Sequence, residues 1–282
     1  MAVPTAPTTF DRMKEVKEFD KSKIGVKGLS DSGKTSIPSI FVHPPETVST
    51  LLKSSSGTIG IPGSLQCRCT RSSVKDCGEH PGGSSTMGFL PSDQPWDTLI
   101  SVTYSSNNNL YRSKAATWHD YVMVWMAPER PELDQIPELY RNELLAWDEN
   151  AAKLTETLAE LLSEGLGLHS KKLKESSLFE TRIFGGMFYP YCPQPDLTVG
   201  LSDHTDPGVK TLLLKNGAPG LQVKYQGEWV DVKPLPGSVI INIGDFLEIV
   251  SNGEYRSVQH CVLANLKKQP RVSIVHWVDV GN

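Results

Sequence analysis

The C-terminal third alternates short apolar runs with turn signals, and this pattern limits the fold more than any other feature. Runs at Thr211–Leu214, Gly220–Tyr225, Trp229–Val232 and Ser238–Ile243 are separated by turns at Lys215-Asn216-Gly217, Gln226-Gly227 and Pro236-Gly237. Short strands at regular spacing, broken by Gly, Asn and Pro, predict an antiparallel sandwich or barrel. A further strand-like run covers Arg271 to Val280, and Leu197-Thr198-Val199 leads into Leu201-Ser202-Asp203-His204-Thr205-Asp206 before the turn at Pro207-Gly208.

That last stretch holds a His-x-Asp pair. A two-residue step along a strand puts both side chains on one face, so the imidazole and carboxylate point at one spot. His260, in Ser257-Val258-Gln259-His260, is the candidate third ligand. Two histidines and one carboxylate make a facial triad for non-haem Fe(II), with open positions for substrates and dioxygen. The pair alone occurs by chance in many chains; its context gives it weight. Eleven residues after His260 comes Arg271-Val272-Ser273, where Arg and Ser share one strand face. A guanidinium beside a hydroxyl is a good carboxylate socket, because the planar fork engages both oxygens.

These pieces, in order, resemble the plant-type 2-oxoglutarate- and iron(II)-dependent dioxygenases. The matching stretches are Tyr189-Pro190-Tyr191-Cys192-Pro193-Gln194-Pro195-Asp196-Leu197, Asp203-His204-Thr205-Asp206-Pro207, Gly220-Leu221-Gln222-Val223, Trp229-Val230-Asp231-Val232, Asn242-Ile243-Gly244-Asp245, Ser257-Val258-Gln259-His260 and Arg271-Val272-Ser273. Val16-Lys17-Glu18-Phe19-Asp20 and Gly25-Val26-Lys27-Gly28-Leu29 resemble the 1-aminocyclopropane-1-carboxylate oxidase homologue group within that family. The resemblance covers roughly residues 10–47 and 101–280. It implies an all-β core with flanking helices: a double-stranded β-helix (jelly-roll, cupin-like) with an N-terminal helical layer. It implies Fe(II) on His204, Asp206 and His260, and 2-oxoglutarate held by Arg271 and Ser273, with help from Tyr189. Many relatives have Asn where this chain has Met187, so one co-substrate hydrogen bond is absent. Ascorbate is the expected reductant.

The expected organisation is an atypical N-terminal region over 1–100, a helical support layer over 101–180 and the jelly-roll core over 181–282. Residues 8–20 predict a short amphipathic helix, with Phe10, Met13, Val16 and Phe19 about three apart. The clearest helix spans 138–165, where Tyr140, Leu144, Trp147, Ala151, Leu154, Leu158 and Leu161 recur at steps of four and three. Pro137 stands just inside its start, and Gly165 and Gly167 mark its end. Residues 170–178 predict another short helix capped by Ser170. Gly28-Leu29-Ser30-Asp31-Ser32-Gly33-Lys34-Thr35 matches a P-loop letter for letter. A phosphate loop needs a strand before it and a helix after it; the prolines at 38, 44 and 45 exclude that helix.

Residues 53–94 are rich in Ser, Gly and Pro and show no apolar period, so a loop is expected. Cys67, Cys69, Cys77 and His80 fall there at a spacing that does not fit a zinc site, and they read as free thiols. Relatives carry a Gly-Phe-Phe and an Asn-His-Gly block at this place, which suggests an altered exon or an incorrectly translated stretch. They also continue past the point matching Asn282 with helices over the pocket mouth. His119 has no partner at ligand spacing and reads as a surface or core histidine; Asp203 lies off the triad's face, and Asp245 reads as a turn residue.

The net charge of −4 and 38% hydrophobic content give no nucleic-acid footprint. No apolar run approaches the length of a membrane span. No signal peptide is evident at the start, and five cysteines at irregular spacing fit a reduced cytoplasmic chain. The expected partners are a small-molecule substrate, 2-oxoglutarate and dioxygen. The expected reaction hydroxylates, demethylates or desaturates a small specialised metabolite or hormone, with succinate and CO2 as co-products. Two alternatives stand beside it: an impaired remnant that keeps metal binding, and an ethylene-forming enzyme like 1-aminocyclopropane-1-carboxylate oxidase.

Overall fold

A computed structural model describes residues 11–53, 102–107 and 110–280, and the backbone of 64–68. Three helices open the chain: α1 (Arg12–Ser22), α2 (Gly25–Asp31) and α3 (Pro45–Leu52). Strands β1 (Ser64–Arg68), β2 (Val102–Ser105) and β3 (Asp120–Ala127) precede the long helix α4 (Glu138–Gly165). Then follow β4 (Thr181–Tyr189), β5 (Val199–His204), β6 (Lys210–Lys215), β7 (Leu221–Tyr225), β8 (Glu228–Asp231) and β9 (Ser238–Ile243). Helix α5 (Asp245–Val250), β10 (His260–Leu263) and β11 (Arg271–Asp279) complete it. The strands form a seven-stranded sheet ordered β1-β9-β6-β11-β4-β3-β2 and a four-stranded sheet ordered β5-β10-β7-β8.

Period-two alternation sorts each strand between two environments. Tyr121, Met187, Tyr189, Leu213, Ile240 and Val275 of the large sheet meet Leu221, Val223 and Val262 of the small sheet in one interior cluster. The neighbouring positions Leu212, Val239 and Ile241 face the other way and pack on Ala151 and Leu158 of α4. This is the expected double-stranded β-helix, with α4 as its support. The hairpin turn at Gln226-Gly227 has φ 50° and 87°, which matches the strand twist and favours glycine at the second position.

The large sheet draws strands from both sides of residue 181, because β2 and β3 extend it beyond β4. The loop expected over 53–94 contains β1, paired antiparallel with β9; serine-rich composition concealed it. Cys69, Cys77 and His80 lie outside the described residues, as does the side chain of Cys67. The predicted 138–165 helix is present, but Pro137 stands at the N-cap with extended backbone rather than inside the first turn. Over 170–178 there is a single 3-10 turn at Lys174–Ser176, with no side-chain cap. Ser163 Oγ takes the Leu173 amide at 3.1 Å, and the left-handed backbone of Ser177 stops any continuation. The first four P-loop letters lie in α2 and the rest in the turn after it, and the chain before α2 is helical.

The N-terminal layer clusters Val16, Val26, Leu29, Ile40 and Phe41 on Trp118, with edge-on aromatic contacts from Phe19 to Phe41 (5.3 Å) and Phe41 to Trp118 (5.1 Å). Asp120, at the start of β3, accepts the amides of Val26 and Lys27 at 2.8 Å each. Gly25 allows that approach: its φ is 65°, and a Cβ there would sit 2.9 Å from the Asp120 carboxylate. Between α4 and the sheet, Asp148 holds Arg182 and the fully buried His276, each at 3.1 Å. Lys210 is buried nearby with its Nζ on Thr155 Oγ1 at 2.8 Å, and burial pushes its pKa down to about 7.

Two outcomes follow. Asp120→Ala leaves two amides without their acceptor and should cost about 3 kcal/mol in urea denaturation. For Lys210, the unfolded chain binds a proton that the folded chain releases between about pH 7 and its ordinary 10.5. Stability should therefore rise with pH there, with up to about 1.4 kcal/mol per pH unit from this group. Lys210→Met should lack that contribution in denaturation series across the same range.

Candidate metal and anion site

β5 and β10 pair antiparallel, and their register sets His260 opposite His204. The two rings stand 4.2 Å apart between centroids. The Nδ1 of His204 lies 2.9 Å from Ser202 O, and that of His260 lies 3.2 Å from Val258 O. With each Nδ1–H donating to its carbonyl, both Nε2 atoms present bare lone pairs, the tautomer a metal ligand needs. Asp206 Oδ1 lies 3.9 Å from His204 Nε2 and 3.8 Å from His260 Nε2. One donor atom from each of the three residues falls within 4.8 Å of the others, close enough for one ion. Burial and the neighbouring His260 lower the pKa of His204 and keep its lone pair available. Nitrogen and oxygen donors in a two-histidine, one-carboxylate set suit Fe(II), so the residues present fit that ion.

Strand geometry does not deliver Asp206, contrary to the sequence expectation. β5 ends at His204, and Asp206 lies in the turn beyond it. Contacts from the end of β9 and from α5 hold that turn. The Asp245 amide donates to Asp206 O at 2.8 Å, and Phe246 N to Gly208 O at 3.1 Å. Asn242 Nδ2 reaches Asp206 Oδ2 at 3.4 Å. Asp245 accepts from Thr205 Oγ1 at 2.9 Å. Gly244 lets the two segments touch, since a Cβ there would sit 2.0 Å from Gly208 O. Asn242, Gly244 and Asp245 thus position the carboxylate, a role that reading Asp245 as a turn residue missed. The available signal was the Asn-Ile-Gly-Asp stretch itself.

The second half of the site lies where β4 and β11 pair, with Arg271 opposite Tyr189 and Ser273 opposite Met187. All four face the interior and are almost fully buried. Arg271 stacks on the Tyr189 ring at 4.7 Å and donates from Nη1 to Ser273 Oγ at 3.1 Å. Its Nε and Nη2 are buried without a hydrogen-bond partner. A buried guanidinium with two idle donors is costly unless an anion fills the place, so this cradle fits a carboxylate. Burial lowers the Arg271 pKa and raises that of the Tyr189 phenol. Gly220, beside the Arg271 stem, has φ 119°, a backbone conformation that favours glycine.

His119 is a core histidine between the two halves. It is buried, with Nδ1 2.7 Å from Gly200 O and its ring 5.4 Å from that of Tyr189. Burial drives its pKa down to about 4, so the ring is neutral near pH 7. Asp203 is exposed. Cys192 and Cys261 are free and buried, and burial pushes both thiols up to about 12. Among the described residues no helix is long and apolar enough to cross a membrane.

Comparison with known proteins agrees with the geometry. Residues 177–280 match the family model of the 2OG-Fe(II) oxygenase superfamily. 1-Aminocyclopropane-1-carboxylate oxidase homolog 4 of Arabidopsis thaliana is 36% identical over 94% of this chain and 83% of its own length. A homologue from Solanum lycopersicum is 37% identical, over 94% and 82%. In fold, the chain is similar to JOX2 solved in complex with 2OG, Fe and JA: TM-score 0.72 at 24% identity, covering 91% of this chain and 83% of that one. The chain belongs to the 2OG-Fe(II) oxygenase superfamily, a family of oxidoreductases, and within it to the 1-aminocyclopropane-1-carboxylate oxidase homologues.

Proposed function

We propose that this chain uses Fe(II), 2-oxoglutarate and dioxygen to hydroxylate, demethylate or desaturate a small specialised metabolite or hormone. The observation that carries the reading is the pairing of a three-ligand cluster with a buried Arg271, whose Nε and Nη2 have no protein partner, on the facing sheets of one barrel. His204 Nε2, Asp206 Oδ1 and His260 Nε2 would hold the iron. Arg271 and Ser273 would take the distal carboxylate of 2-oxoglutarate, with Tyr189 stacked beneath the guanidinium. When bound, iron and 2-oxoglutarate would supply the dioxygen-dependent oxidative decarboxylation that gives succinate and CO2 and is coupled to oxidation of the substrate.

The chain's own work is placement and shielding. The carbonyls of Ser202 and Val258 orient the two imidazoles, and Asn242 and Asp245 fix the carboxylate. His204 is 37% exposed, while the Asp206 and His260 side chains are each only 6% exposed, so substrate approach from the His204 side is favoured. The apolar lining from Tyr121, Leu221, Val223 and Val262 excludes water from the co-substrate. Met187 stands opposite Ser273, where its thioether offers no donor to a carboxylate. Ascorbate serves as reductant on this reading, and the free thiols suit a reducing compartment such as the cytoplasm.

Anaerobic titration of Fe(II) and 2-oxoglutarate tests it through the visible charge-transfer band of the chelate. The band should appear in wild type and vanish in His204→Ala. In Arg271→Ala it should require at least about tenfold more 2-oxoglutarate. No band from folded wild-type protein would overturn the reading. Ethylene release from 1-aminocyclopropane-1-carboxylate would instead select the ethylene-forming reaction.

A further inference from the structure

We infer that Lys215 is a second cationic partner of the co-substrate, gripping the distal carboxylate together with Arg271. This rests on the co-substrate reading above and extends it to a residue outside the Arg-x-Ser pattern. Lys215 ends β6, and the register with β11 places it directly opposite Ser273. Directly opposed residues on one face hold their Cβ atoms about 5 Å apart. Lys215 therefore points into the barrel beside the hydroxyl that Arg271 itself contacts. Its neighbour on the same face, Leu213, belongs to the interior cluster with Tyr189 and Val275.

The ammonium crosses from the large sheet to the end of the small one, where Nζ donates to Val232 O at 2.9 Å. An ammonium has three donors. Among the described residues, Val232 O is the only hydrogen-bond partner of this one. Among the described residues no carboxylate forms a salt bridge with it. Burial, and the like charge of Arg271, bring the Lys215 pKa down to about 8. Two cations thus converge where Arg271 already has two idle donors. A carboxylate between them has two oxygens and can accept from both, shielding the repulsion between the two cations. The chemistry selects a 2-oxo acid with a carboxylate at its far end. It also ties binding to protonation, because a bound anion favours the ammonium form.

Calorimetric titration of 2-oxoglutarate into Mn(II)-loaded full-length protein tests this without turnover. Two buffers of different ionisation enthalpy, set just above the Lys215 pKa, report the protons taken up. Wild type should take up a measurable fraction of a proton on binding. Lys215→Gln should abolish the uptake and weaken 2-oxoglutarate about tenfold, while 2-oxopentanoate, which lacks the distal carboxylate, binds both proteins alike. Lys215→Arg should restore affinity without uptake, since a guanidinium stays charged. Wild-type affinity and proton count in Lys215→Gln, with Arg271→Ala still losing binding, would overturn this inference and leave the co-substrate reading standing. Equal weakening of both ligands in Lys215→Gln would also overturn it, reducing Lys215 to a brace between the sheets. Failure of wild type to bind 2-oxoglutarate would overturn both.

Discussion

The register of antiparallel pairing is the constraint on which the rest of this molecule depends. Side chains alternate between the interior and the outer face, so a slip of one residue would turn every site group outward. β11 shows the stakes. Arg271, Ser273 and Val275 face the interior, while Ile274, His276 and Val278 face away from it, with His276 held by Asp148 of α4. The same pairing brings Arg271 over Tyr189 and sets Lys215 beside Ser273. Between β5 and β10 it sets His204 against His260. Packing and site geometry are therefore one decision, and the large apolar residues that fix the register also aim the polar ones.

The interior holds electrostatic tension. Arg271 is buried near the half-buried Lys215, and Lys210 is buried on the other side of the sheet, its pKa lowered to about 7. Uncompensated buried cations lower folded-state stability, and an anionic ligand at Arg271 would offset that cost. Lys210 has no such outlet and relies on Thr155. On the proposed reading, ligand binding would relieve the tension at the barrel interior, whereas that beneath α4 is borne by the fold. His119, neutral by burial, adds no further positive charge between the metal ligands and the anion cradle.

Much of this was legible in the chain. The turn-punctuated apolar runs carried the barrel, because strand alternation and glycine turns are local properties. Gln226-Gly227 makes the tight hairpin that its letters promised. The four-and-three spacing through Leu144, Ala151 and Leu158 carried α4. β1 was illegible, since Ser64–Arg68 becomes a strand by pairing with β9 rather than by its own propensity. The helix expected at 170–178 failed because Ser163 captures the Leu173 amide from another element.

The sequence by itself determined which residues were available: two histidines, an aspartate and an Arg-x-Ser at strand spacing, together with the periodicities that turn apolar faces inward. Tertiary structure decided what those spacings left open. Asp206 reaches the histidines from a turn, held by Asn242 and Asp245 some forty residues on and admitted by Gly244. Lys215 gains its place beside Arg271 only when β6 pairs with β11. Local propensity acts over a few residues, whereas these positions depend on backbone hydrogen bonds and close approaches between distant segments. Those exist only once the sheets have formed.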